Sequence, residues 1–133
     1  MWAFLATAEI PIVWCYDASA LIEQGLSDKL DLIEQVESHR MVRVAKNLSI
    51  EQIYALYRDC RGYVSFSKSE SYGWSLADAI SFGKPICSRR TGVLSYFDDF
   101  VATTDFSNPV FSRLTVDTHT FFGKNIVNRI LAS

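Results

Sequence analysis

Ser67–Ile86 reads S-K-S-E-S-Y-G-W-S-L-A-D-A-I-S-F-G-K-P-I. This order of residue types describes an acidic loop, a helix, a helix stop and a strand. Glu70 stands before a tight turn at Gly73. Asp78 falls inside a short helix predicted over 75–82. Gly83 occupies the position just past that helix and Pro85 follows it, a common pair of stop signals. Main-chain N–H groups at a helix start face phosphate readily, and ionised carboxylates accept hydrogen bonds from hydroxyls. The expected ligand is therefore polyhydroxylated and phosphorylated.

The pattern extends outward from this segment. Gly62–Phe66, G-Y-V-S-F, is a predicted strand that delivers the acidic loop. Before it, Ser49 opens S-I-E-Q, a capping box closed by Gln52. The helix behind that box carries Ile53, Leu56 and Tyr57 on one face. Met41–Ala45 reads as a strand. Ala18–Ser38 reads as a helix through Leu21, Ile22, Leu26, Leu30, Ile33 and Val36, with a break at Gly25 and a second start at Ser27. Ile10–Tyr16 is a continuous apolar run, expected as a strand buried on both faces. Downstream, Pro85–Ser88 and Asp99–Thr103 are strand candidates. Thr118–Leu131 is a last helix with Phe121, Phe122, Ile126 and Ile130 on its apolar side. Strands and helices alternate, which predicts an α/β fold, a Rossmann-like three-layer sandwich around a parallel sheet. Ligands of such sheets bind beyond the carboxyl ends of the strands, where the Ser67–Trp74 loop departs.

The bulk numbers narrow the class. A chain of 133 residues with 49% apolar content is expected to form one domain, residues 1–133. A net charge of -2 provides no attraction to nucleic acid. No apolar run approaches the ~18 residues of a membrane span. The start, M-W-A-F-L-A-T-A-E, lacks the basic region of a signal peptide and reads as a helix end. Cys15, Cys60 and Cys87 have no metal-ligand spacing and are read as small buried hydrophobes in a reducing, cytoplasmic compartment. Asp98 and Asp99 are read as a hydrated surface pair, and His39 and His119 as surface residues. Lys84 is read as a cation at a helix C-terminus, and Trp74 either as packing beneath its loop, the preferred reading, or as stacking on a base or sugar ring. Arg89 and Arg90 either neutralise phosphate or face solvent.

These residues resemble the C-terminal, donor-binding half of retaining GT-B glycosyltransferases, the large group that includes many polysaccharide and glycolipid mannosyl-, glucosyl- and galactosyltransferases. The signature of that group runs E-G-F-G, then E-A, then G-x-P-V. The matching residues are Glu70, Ser71, Tyr72 and Gly73, then Asp78 and Ala79, then Gly83, Lys84, Pro85 and Ile86. Ser49–Cys60 is similar to the helix before the signature strand, and Gly62–Ser67 to that strand. The likeness is closest over Met41–Gly92; outside it only the order of elements agrees.

The resemblance implies a nucleotide-diphosphate sugar as donor, such as a UDP- or GDP-hexose, with no metal and no further cofactor. It implies that Glu70 contacts donor-sugar hydroxyls at the catalytic centre. It implies that the main chain of Ser71, Tyr72, Gly73, Trp74 and Ser75 meets the diphosphate and sugar, and that Asp78 holds the ribose diol. The nucleobase would lie near Val44–Lys46. Ser71 departs from the usual glycine, and Asp78 from glutamate, being one methylene shorter. Arg89–Val93 retains one glycine, and no acid follows before Asp98. The resemblance also implies that the first donor-half strand, its basic loop and the acceptor domain are absent. The isolated chain is then expected to be inactive, to need its missing domain or a partner chain, and to be prone to self-association. The alternative is a non-catalytic donor-binding or assembly module of a split glycosyltransferase.

Overall fold

A computed structural model of the protein describes residues 1–16 and 30–114. Helix α1 (Trp2–Thr7) buries Phe4 and Leu5. Strand β1 (Ile12–Tyr16) and strand β2 (Val42–Lys46) pair in parallel, from Ile12 opposite Val42 to Tyr16 opposite Lys46. Between them lies helix α2 (Leu30–Glu37), and β2 is followed by helix α3 (Ile50–Asp59). Strand β3 (Tyr63–Val64) pairs in parallel with strand β4 (Ile86–Cys87), with helix α4 (Trp74–Ser81) between them. A 3₁₀-helix, Gly92–Tyr96, comes after β4. Parallel pairs joined through helices place the chain in the α/β class. The expected Thr118–Leu131 helix, His119 and the part of the Ala18–Ser38 helix before residue 30 lie outside the described residues.

The local signals work as the side-chain chemistry requires. The Ser49 hydroxyl accepts from the Gln52 N–H at 3.2 Å, and the Ser49 N–H donates to Gln52 Oε1 at 2.9 Å, which closes the capping box of α3. At the end of α4, Gly83 has φ of 69°, its N–H donates to the Ile80 carbonyl and the Lys84 N–H to the Ala79 carbonyl. That double bond pattern is a Schellman stop. Lys84 does act as a cation at a helix end, but on α3. Its ammonium donates to the carbonyls of Arg58 at 2.8 Å and Cys60 at 2.9 Å.

The main core lies between α3, α4, β4 and the 3₁₀-helix, with Leu76, Ile80, Ile86, Val93 and Leu94 at its centre. The apolar face of α3 is rotated from the expected one. Tyr54 and Tyr57 are its buried residues, while Ile53 and Leu56 are half-buried. The Tyr57 ring stacks on Phe82 at 5.3 Å between centroids, and its hydroxyl donates to the Ser75 carbonyl at 3.0 Å. The Tyr54 hydroxyl is buried with no hydrogen-bond partner. Leaving such a group dry costs about 1–3 kcal/mol. Tyr54→Phe is expected to raise unfolding stability by about 1 kcal/mol in urea titrations, and a loss would refute the assignment.

Several expectations fail for identifiable reasons. The described strands form two separate two-stranded sheets rather than one continuous layer. β1 is not buried on both faces: Val13 is 48% exposed and Cys15 is exposed. Among the described residues it has a ladder partner on one side only. Cys15 therefore departs from the buried reading; Cys87 fits it, and Cys60 is half-buried. Asp99–Thr103 is not a strand. The Thr103 N–H reaches the Ser88 carbonyl, but beyond β4 the recorded pairing is an antiparallel bridge between Ile86 and Ser112. His39, read as a surface residue, is half-buried, and its Nδ1 accepts from the Met41 N–H at 3.1 Å. Trp2 is half-exposed, its ring 6.3 Å from that of His39. No helix among the described residues is long and apolar enough to cross a membrane.

Candidate functional site

The acidic loop leaves the carboxyl end of β3 and reaches α4 through Gly73, whose φ of 83° and ψ of 71° lie in the left-handed region. Glycine enters that region without a Cβ penalty. The N-cap residue is Gly73, so no N-cap side-chain hydrogen bond closes the start of α4. The order strand, turn, helix is the arrangement the loop residues predicted.

Glu70 is held by its backbone. Its N–H donates to Thr91 Oγ1 at 2.8 Å, and its Oε1 accepts from the Ser67 hydroxyl at 2.8 Å. The carboxylate itself is exposed. Next to it, the Tyr72 carbonyl accepts from the Val93 N–H at 2.6 Å. The single glycine of the Arg89–Val93 segment, Gly92, sits against this loop with φ of 57°, and a Cβ there would meet the Tyr72 oxygen at 2.4 Å.

Arg90 is exposed, as one of the two expectations had it, and Arg89 is half-buried; both also hold main-chain carbonyls. Arg89 donates to the Phe66 carbonyl at 2.7 Å and lies over the Phe106 ring at 4.9 Å, which ties down the root of the acidic loop. Arg90 donates to the Phe97 carbonyl at 2.7 Å and to that of Phe100, holding the turn after the 3₁₀-helix. Their guanidinium groups are already engaged with carbonyls of the protein. Trp74 is not beneath the loop. It is 54% exposed and lies 4.7 Å from the Tyr72 ring, so the pair forms an aromatic surface beside Glu70.

The two acids differ in access. Glu70 is exposed, whereas Asp78 is 4% exposed. They nevertheless act on one group, the Tyr63 phenol. Burial pushes that phenol above its ordinary range. A hydrogen bond with the Ser75 side chain opposes the shift, and the charges of Glu70, Asp78 and Cys15 add to it. Residue-type patterning missed Tyr63 because a tyrosine in a short strand reads as core. In the unfolded chain this phenol ionises near pH ~10; in the fold it ionises higher. The unfolded state then binds fewer protons above that pH, so folding stability falls as pH rises. Relative to Tyr63→Phe, the native protein is expected to lose stability from about pH 10 upward. Parallel stability curves for the two proteins would refute this.

No protein-family model, curated protein or solved structure matches the chain. The chemistry of the site must be argued from the residues themselves. Among the described residues no group of three His, Cys, Asp or Glu side chains is arranged to hold a metal. What the loop offers is an exposed carboxylate, the Ser67 and Ser71 hydroxyls, the exposed Trp74 ring beside a half-buried Tyr72, and a helix start with no N-cap side chain. That set can accept from hydroxyls and donate to an anion a few ångströms away.

Proposed function

We propose that this chain is the nucleotide-sugar-binding part of a glycosyltransferase, built on a Rossmann-like GT-B donor domain. The observation that carries the reading is the left-handed Gly73 opening α4, with no N-cap side chain, directly after the anchored Glu70. In this reading the donor diphosphate lies at the start of α4, against the main-chain N–H groups of Trp74 and Ser75. Charge that develops on the departing diphosphate is stabilised there by fixed dipoles. Glu70 accepts from donor-sugar hydroxyls and fixes the ring, and Ser71, Tyr72 and Gly73 line the approach. The reaction class is transfer of the glycosyl group to an acceptor with retention at the anomeric carbon. Asp78 serves the ribose diol only if the atoms that cover it give way on binding. No metal takes part in this scheme.

Calorimetric titration with UDP-glucose and GDP-mannose tests it. Binding of one of them is expected, with at least tenfold weakening in Glu70→Ala and an unchanged melting temperature, since the Glu70 carboxylate is exposed. No heat from either ligand at millimolar concentration, or equal affinity in Glu70→Ala, would overturn the reading.

A further inference from the structure

Tyr96 and Trp74 are the two most exposed aromatic residues among those described, at 66% and 54%. They border the acidic loop from different elements. Trp74 opens α4, and its ring meets that of Tyr72 at an interplanar angle of 55°. Tyr72 is half-buried and packs against the main core, so the Trp74 ring rests against a fixed neighbour. Tyr96 ends the 3₁₀-helix, which the Val93 N–H ties to the Tyr72 carbonyl. One 3₁₀ turn separates Val93 from Tyr96, so the two residues share a face of that helix. Burial raises the Tyr72 phenol, and the charge of Tyr96 adds to the shift, which places the two phenols near each other. Glu70 belongs to the same surface. A Cβ on Gly92 would meet the Tyr72 carbonyl and also the Glu70 Cβ, the latter at 3.1 Å.

We propose that Tyr72, Trp74 and Tyr96 form a stacking platform for a pyranose ring of a neutral oligosaccharide, with the Glu70 carboxylate and the phenol hydroxyls at its rim. A pyranose presents C–H bonds on its face and hydroxyls at its edge. An aromatic surface rimmed by hydrogen-bonding oxygens matches both. Charge selects against other occupants. The Ser67–Trp74 loop carries Lys68 and Glu70, which cancel, and the 3₁₀-helix carries none. Just beyond that helix, Asp98 and Asp99 are exposed and add negative charge. A nucleic-acid strand or an anionic membrane is held by clustered cations instead. Two rings tilted at 55° also form no parallel slot for a flat base. A polypeptide partner would meet little aliphatic surface here, since Ser71, Ser75 and Ser95 are exposed around the rings. Tyrosine and tryptophan have few rotatable bonds, so ordering them on a ligand costs little entropy. In the glycosyltransferase reading this oligosaccharide is the acceptor, but the platform is inferred from its rings and stands without that reading.

The test titrates the 133-residue chain with cellopentaose, maltopentaose and mannopentaose, followed by NMR. At least one is expected to bind at millimolar concentration, with its C–H protons shifted upfield by the ring currents. Tyr96→Ala and Trp74→Ala should each weaken that binding at least fivefold, whereas Tyr96→Phe, which keeps the ring, should weaken it less than twofold. Tyr96→Ala should leave the melting temperature and any UDP-glucose or GDP-mannose affinity unchanged. A failed donor titration therefore leaves the oligosaccharide result readable. No binding of any pentasaccharide, or equal affinity in Tyr96→Ala and the unaltered chain, would overturn the proposal. Tighter binding of oligothymidylate than of every pentasaccharide would assign the rings to nucleic acid, and would also overturn it.

Discussion

Gly92→Ala is expected to destabilise the protein by about 3 kcal/mol and to abolish binding at the acidic loop. Two effects add. At φ of 57° an alanine occupies the left-handed region, which costs roughly 1–2 kcal/mol for a residue with a Cβ. The new Cβ would also stand 2.4 Å from the Tyr72 oxygen and 3.1 Å from the Glu70 Cβ. The nearer atom belongs to the main chain and cannot swing aside like a flexible side chain. Relief requires the loop to move away, which breaks the 2.6 Å bond from the Val93 N–H to the Tyr72 carbonyl. Gly83→Ala separates the two effects. Gly83 has a similar φ of 69°, but a Cβ there meets nothing within 4 Å. It should cost about 1 kcal/mol and leave binding unchanged. Equal losses in the two variants, measured by urea unfolding, would show that the contact between Gly92 and the loop carries no weight.

Leu76→Ala is expected to cost about 3 kcal/mol, within the usual range for emptying a core leucine site. Leu76 is 2% exposed and belongs to the main core. Its Cδ1 also lies 3.0 Å from where a Cβ on Gly73 would be, so this side chain supports the turn from below. Truncation removes core contacts and the floor of the Gly73 turn together. The loss of ligand affinity should therefore exceed that of a core substitution remote from the loop, such as Leu114→Ala. Leu76→Met keeps most of the volume and should cost less than ~1.5 kcal/mol. Matching ligand affinities for Leu76→Ala and Leu114→Ala would break the link between core and turn.

The candidate site was legible where its geometry is made locally. The turn at Gly73, the stop at Gly83 and the box at Ser49–Gln52 each depend on residues within a few positions. A glycine's freedom of φ or a serine's short hydroxyl is enough to specify them. The roles of Arg89, Arg90 and Lys84 were not legible, because their partners are carbonyls supplied by other parts of the chain. Lys84 is the clearest case, since its ammonium caps a helix that ends 25 residues earlier. Trp74 was misread for a related reason. A large aromatic residue suits both core and surface, and its placement depends on what the rest of the fold leaves uncovered.

Residue order alone settled the α/β class and, to within one residue at each end, the helix after the acidic loop, predicted over 75–82 and found at Trp74–Ser81, because those follow from short-range backbone preferences and alternation of elements. Which acid stays accessible, what the arginines hold and how the strands divide were decided only in three dimensions. A side chain's exposure and a strand edge's partner depend on residues remote in the chain. Asp78 is covered and Glu70 is not, although both were read as acids facing one ligand. The break between β1 and β3 has the same origin: strand character belongs to a segment, but its neighbour in a sheet is chosen by the packing of helices around it.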